Sequence, residues 1–174
     1  MKRFNCSALS ALVLLMPFAL LRAADTAKDG RPGKVVLVLH GGAGDLPGKK
    51  VSAKVDKEYR EVMEKALRAG HQALQREKGT SLDAVEAAIR VLEDAPLYNA
   101  GKGAVFTSEG RNELDASLME GKQLRAGAVA GVTIIKNPIS AARAVMEKSK
   151  HVLRTGRGAE RCTQQNAVLL TWTV

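Results

Sequence analysis

Two helix-patterned stretches lie back to back between Ser52 and Leu92, cut at Gly79 and closed by Pro96, and strand-patterned runs follow them. That order of periods confines the chain to layers of helix and sheet. From Ser52 to Lys78, Val55, Tyr59, Val62, Met63, Ala66, Leu67, Ala69, Gly70, Ala73 and Leu74 recur at helical spacing. Gly79 ends that helix, with Lys78 close to its C-terminus. Thr80 or Ser81 caps a second helix, whose first turn places Asp83 beside the positive end of the dipole. Its apolar face is Leu82, Val85, Ala88, Ile89 and Leu92, and Pro96 lacks the amide hydrogen needed to continue. Leu114 to Met119 alternates like a strand, and Ala126 to Ile135 is a small, apolar, strand-like run. Asn137-Pro138 opens a third helix over Ile139 to Lys148. Upstream, Val35-Val36-Leu37-Val38-Leu39 is a continuous aliphatic run, the pattern of a strand buried on both faces. Asp45 to Lys50 reads as a turn, and the chain has no repeats and no low-complexity segment.

The first residues are read apart from the fold. Lys2 and Arg3 precede an apolar run from Ser7 to Leu21, and Arg22-Ala23-Ala24 offers small residues for cleavage. This is the pattern of a secretory signal peptide over residues 1–23, with a polar, flexible leader over 24–34. The run of 15 residues is short of the ~20 that span a bilayer, which weighs against an uncleaved anchor. The expectation is a secreted or periplasmic protein with no stable membrane anchor. Removing 23 of 174 residues leaves 151, about one domain, and lowers the net charge from +9 to +6 because Lys2, Arg3 and Arg22 go. The remaining bases alternate with acids, as in Lys54-Val55-Asp56-Lys57-Glu58, which is a solvated helix face and not a stripe for nucleic acid. Of the two cysteines, Cys6 lies in the expected signal peptide, so no intramolecular disulfide is expected and Cys162 reads as a buried or unreactive thiol.

Two glycine-broken loops carry the candidate chemistry. The first is His40-Gly41-Gly42-Ala43-Gly44. It can be an oxyanion loop of a lipase-like hydrolase, a phosphate loop, the loop after a first strand, or a tight structural turn. No Gly-x-Ser-x-Gly elbow and no phosphate-binding glycine motif accompanies it, which counts against the first two. The second runs from Leu97 through Asn99, Gly101 and Gly103 to Thr107. Asn99 is the best candidate for a polar residue near a reaction centre, since its amide both donates and accepts; the plain alternative is a turn asparagine bonding its own backbone. Glu113 and Asp115 would share a face of a strand, but His40, His71 and His151 are scattered, so a zinc site is not expected. Asp115 is read as mainly structural.

Taken in order, the His-Gly-Gly loop, Leu97 to Thr107, Glu113 to Gly121 and Arg125 to Val152 resemble the first half of the plant-type L-asparaginase/isoaspartyl peptidase family. The resemblance covers about Val35 to Arg161 and diverges from about Cys162. It implies an α/β fold, an αββα sandwich of the N-terminal-nucleophile hydrolase type, of which residues 35–174 are the first half. It implies that Gly41 and Gly42 lie near the active site, and that Asn99 helps order the groups around the nucleophile. It also implies a loop whose main-chain carbonyls, from Leu92, Glu93, Ala95, Tyr98, Ala100 and Lys102, wrap an alkali-metal ion such as sodium; oxygen ligands suit such a hard cation. The alternative is a helix C-cap and turn without an ion. Lys102 departs from the apolar side chain expected there.

Activity in that family rests on a threonine freed by self-cleavage, whose own α-amine activates its hydroxyl. It attacks an asparagine side-chain amide or a β-aspartyl peptide bond. The threonine opens Thr-Val-Gly after a glycine, and no Gly-Thr-Val-Gly occurs here. The resemblance therefore implies a partner: the nucleophile-bearing half, then assembly into a dimer of heterodimers acting on a small-molecule or peptide substrate, with no organic cofactor. Without that half the chain is expected to be inactive, and a catalytically dead remnant or non-catalytic binding domain is the alternative.

Overall fold

The computed structural model describes residues 35–42 and 52–165. The expected signal peptide and leader, the Asp45–Lys50 turn with Ala43 and Gly44, and most of the divergent tail lie outside the described residues. Among the described residues, four helices and one three-stranded sheet follow in the order α1 (Ala53–Leu74), α2 (Ser81–Glu93), β1 (Leu114–Glu120), β2 (Arg125–Val132), α3 (Pro138–Lys148), β3 (Leu153–Thr155) and α4 (Gly156–Gln165). A single 3-10 turn over Gly101–Gly103 lies between α2 and β1.

Local chemistry sets the helix limits. Ser52 caps α1, its side chain accepting from Val55 N–H at 3.3 Å. The helix stops at Leu74, short of the expected Lys78, where Gln75 N–H is shared between the carbonyls of His71 and Gln72. A reciprocal capping box opens α2: Asp83 N–H donates to Thr80 Oγ1 at 3.2 Å, and Thr80 N–H donates to Asp83 Oδ2 at 2.9 Å. The expected apolar face of α2 needs one correction. Val85 is exposed, while Ala84 and Ala88 are buried, because α2 is wedged between two helices. Ala84 and Ala88 lie against Gly70 of α1, and Leu82 belongs to the core shared with α3 and the sheet.

The sheet has the order β1-β2-β3, with β1 antiparallel to β2 and β3 parallel to it. Asp115 sits at a bulge between Leu114 and Ala116, and its Oδ1 accepts from Gly131 N–H at 2.8 Å. With Gly131 at φ +61°, the carboxylate holds a glycine turn, which is the structural role expected of Asp115. β2, α3 and β3 form a βαβ unit, and α3 lies on one face of the sheet. Val129, Val132, Ile139, Val145 and Met146 meet there with Leu114 and Leu118. The approach is close enough that a Cβ on Gly127 would stand 2.2 Å from Ala142 O. Arg143 ties α3 to α2, with Nη1 2.7 Å from Asp83 and 2.8 Å from Glu86.

Two expectations were incomplete. Val35–Leu39 is extended but pairs with no strand among the described residues. Val36 and Val38 are 73% and 80% exposed, whereas Leu37 and Leu39 are half-buried, so one side of the segment is covered and not two. Its inward residues lie on helices: Leu37 on Gly70, and Leu39 on the cluster of Ala66, Leu92, Ala95 and Tyr98. β3 and α4 had no sequence signal. Three residues are too few to show alternation, and α4 opens on Gly-Arg-Gly and buries Ala159, Glu160, Cys162 and Thr163, two of them polar. Cys162 is buried, as expected.

Candidate functional site

The site is the loop from Asp94 to Asn112 with the His40-Gly41-Gly42 segment beside it. Anchors at two points fix where the loop begins. Tyr98 is 6% exposed and its hydroxyl donates to Tyr59 O of α1 at 2.9 Å. The two rings meet edge to face, with centroids 5.4 Å apart at 83°. Burial, and secondarily the neighbouring Tyr59, raise the Tyr98 hydroxyl above its ordinary pKa. The second anchor is Glu93, 3% exposed at the end of α2. Its carboxylate accepts from Ile139 N–H at 3.0 Å and Asn137 Nδ2 at 3.1 Å, and so caps the start of α3. Burial pushes the Glu93 carboxyl up to about 7, against the opposing pull of those two donors. Asn137 Nδ2 also reaches Asp94 Oδ1 at 3.2 Å, as does Lys136 Nζ at 3.0 Å.

Beyond these anchors the chain folds on its own backbone. Ala100 N–H donates to Tyr98 O at 2.8 Å, Gly103 N–H to Ala100 O at 3.0 Å, and Ala104 N–H to Gly101 O at 3.2 Å. A Cβ on Gly101 would stand 2.4 Å from Glu93 O; one on Gly103 would stand 2.2 Å from Tyr98 O and 2.8 Å from Pro96 O. Only glycine admits carbonyls this close at these two positions. Glu93 O and Tyr98 O, two of the six carbonyls named above for an ion, thus lie close against these glycines, as does Pro96 O. Ala100 O accepts one N–H and keeps a second lone pair, whereas Leu92 O already accepts from both Asp94 and Ala95 N–H. Neutral carbonyl oxygens on a tight loop are a donor set that fits a hard monovalent cation. Ala95 is buried within the loop, and Lys102 is exposed on the 3-10 turn.

The two glycine loops come together. A Cβ on Gly41 would stand 2.9 Å from Tyr98 Cε1 and 3.4 Å from Met63 Cε, so the His-Gly-Gly segment abuts the Tyr98 ring. Gly42, at φ +108°, donates its N–H to His40 Nδ1 at 3.2 Å. Asn99 is exposed, and its Oδ1 accepts from Val105 N–H at 3.0 Å, a bond six residues along the chain. Among the described residues, Asn99 Nδ2 is paired with no acceptor. Asn112 is the residue sequence reasoning missed. Its Nδ2 donates to Ala104 O at 2.8 Å and to Val105 O at 3.1 Å. Beside Glu113 and Asp115 it attracts no attention in the sequence, because an amide that holds a neighbouring loop has no spacing signature.

Four of the five threonines among the described residues bond through their side chains, and the fifth, Thr155, is exposed in β3. Thr80 caps α2, Thr107 accepts from Arg111 N–H, Thr133 donates to the buried Glu160, and Thr163 donates to Ala159 O.

A family model described as Asparaginase matches residues 33–170. The plant-type L-asparaginase of Pyrococcus abyssi is 52% identical over 125 residues, which cover 72% of this chain and 39% of that protein. The isoaspartyl peptidase of Escherichia coli is 48% identical over 129 residues, 74% of this chain and 40% of that protein. The isoaspartyl peptidase/L-asparaginase of Xenopus laevis is 44% identical over 126 residues, 72% of this chain and 39% of that protein. The chain thus spans about two fifths of the length of these relatives.

Proposed function

The chain belongs to the asparaginase family, whose members are amidohydrolases of the N-terminal-nucleophile type, and from that premise we propose that it supplies the first portion of an isoaspartyl peptidase/L-asparaginase. The observation that carries the reading is the contact of Gly41 with Tyr98, which sets the His-Gly-Gly segment beside the loop bearing Asn99. The glycine backbone there can face a ligand without a side chain in between, and Asn99 offers an uncommitted amide donor. Both suit a site in which a carbonyl gains negative charge.

In this reading the nucleophile comes from a second portion bearing a threonine with a free α-amine. The hydroxyl oxygen attacks the side-chain carbonyl of asparagine, or the β-carbonyl of an isoaspartyl bond, while the amine takes the hydroxyl proton. The carbon–nitrogen bond breaks, and ammonia or the peptide amine leaves with that proton. Water then cleaves the ester and releases aspartate. Residues Leu92, Glu93, Ala95, Tyr98, Ala100 and Lys102 would hold a sodium ion through their carbonyls, and such an ion would brace the loop that carries Asn99. The segment over residues 1–23 would direct export.

The test is co-production of the chain with the remaining portion of the Escherichia coli relative. Release of ammonia from asparagine, and cleavage of a β-aspartyl dipeptide, are then measured. The proposal expects turnover by the pair and none by the chain alone. An inert but stable pair would identify the chain as a non-catalytic remnant.

A further inference from the structure

Residues 104–112 form an excursion anchored by one apolar side chain at its start, Ala104, which packs against the core. Val105 and Phe106 point outward and are 65% and 72% exposed. Beyond Ala104, hydrogen bonds hold it. Thr107 N–H donates to Arg111 O at 2.8 Å, Gly110 N–H to Thr107 O at 2.9 Å, and Arg111 N–H to Thr107 Oγ1 at 3.3 Å. This turn, with Gly110 at φ +72°, brings Asn112 back alongside Ala104 and Val105. Val105 is then gripped through both of its main-chain polar groups. Its N–H donates to Asn99 Oδ1 at 3.0 Å, and its C=O accepts from Asn112 Nδ2 at 3.1 Å. The second proton of the Asn112 amide goes to Ala104 O at 2.8 Å.

We propose that Asn112 is a positioning residue for the reaction, acting through Val105 to fix which end of the Asn99 amide faces the substrate. The proposal rests on the reading of Asn99 as a residue bordering the reaction centre. An asparagine amide can present either its oxygen or its nitrogen, and turning it over reverses donor and acceptor. The Val105 N–H can only donate, so it selects Oδ1 and leaves Nδ2 to point at a ligand. That selection lasts only while Val105 stays in place. Asn112 supplies two donors to two adjacent carbonyls; Ala104 also packs against the core, but the Val105 side chain is exposed and adds no such support.

Two variants separate the roles. Asn112→Asp keeps the shape but places a carboxylate against two carbonyl oxygens; Asn112→Ala removes the clamp. In the full chain labelled with 15N, both are expected to speed exchange of the Val105 amide at least about tenfold and to shift the Asn99 side-chain amide signals, with α1 and α3 unaltered. Asn112→Ser, which retains one donor, is expected to fall between and serves if either variant folds poorly. In the assembled pair, Asn112→Ala is expected to lower kcat about 10- to 100-fold with KM changed less than about twofold. In an Asn99→Ala background, Asn112→Ala is expected to have no further effect on kcat. Unchanged Val105 and Asn99 signals would overturn the proposal, as would an equal loss of kcat in both backgrounds. If the unmodified pair does not turn over, the functional reading fails and the labelled chain alone decides the clamp.

Discussion

Tyr98 shows how a single side chain sets the site. Its ring supports Gly41, its hydroxyl reaches Tyr59 O, and its own carbonyl is turned toward Gly103. Tyr98→Phe keeps the ring and leaves Tyr59 O without that donor. The expected cost is about 1 kcal/mol in chemical denaturation, with the fold retained; no change in midpoint would mean the bond is idle. Asp83 makes a pH prediction. The Thr80 hydroxyl above all, and Arg143 in addition, lower its carboxyl from 3.8 to about 2, against a smaller effect of burial. A depressed pKa gives stability that is present above about 3.8 and lost as pH falls through about 2. Melting curves between pH 5 and pH 2 should therefore converge for the unaltered chain and Asp83→Asn, and parallel curves would refute the assignment. The cap was legible in the sequence because its signal is local: Thr80 and Asp83 are three residues apart. The contacts of Glu93 with Asn137 and of Asn112 with Ala104 were not, since only the fold brings those residues together.

At the scale of elements, α2 and α3 are joined by one buried carboxylate. Glu93 satisfies Ile139 N–H and Asn137 Nδ2, while Asn137 Oδ1 already has no partner among the described residues. Glu93→Ala would strand the Ile139 N–H and leave Asn137 Nδ2 only its bond to Asp94, with an expected loss of about 2 kcal/mol measured by urea unfolding. A loss below about 0.5 kcal/mol would show that water or a rearranged Asn137 replaces the carboxylate. The carbonyl-lined loop carries its own prediction. If it holds sodium, melting in sodium chloride should exceed melting in choline chloride at equal ionic strength, by about 2.7 kcal/mol of stability at a hundredfold excess over Kd. Equal melting would remove the ion from the account. The helices α1, α2 and α3 and strands β1 and β2 were readable because long amphipathic or alternating runs average over local noise. Val35–Leu39 misled for the same reason: a run of five aliphatics reads as doubly covered, whereas only Leu37 and Leu39 turn toward the helices. β3 and α4 are placed by pairing with β2 and by the burial of Glu160 beneath Thr133, and neither leaves a periodic trace.

Among the described residues, α3 covers one face of the sheet, and the other face carries the exposed Ser117, Met119 and Leu153. The remaining three fifths of the relatives' length has no counterpart in the match. The central claim is that this chain builds the loop side of an amidohydrolase site and needs a threonine-bearing portion to act. It is tested most directly by measuring β-aspartyl dipeptide cleavage by the purified chain alone and by the chain co-produced with the rest of the Escherichia coli relative. The account predicts cleavage by the pair, abolished when the threonine is replaced, and none by the chain alone. Cleavage by the chain alone, or a stable pair with no cleavage, would contradict it.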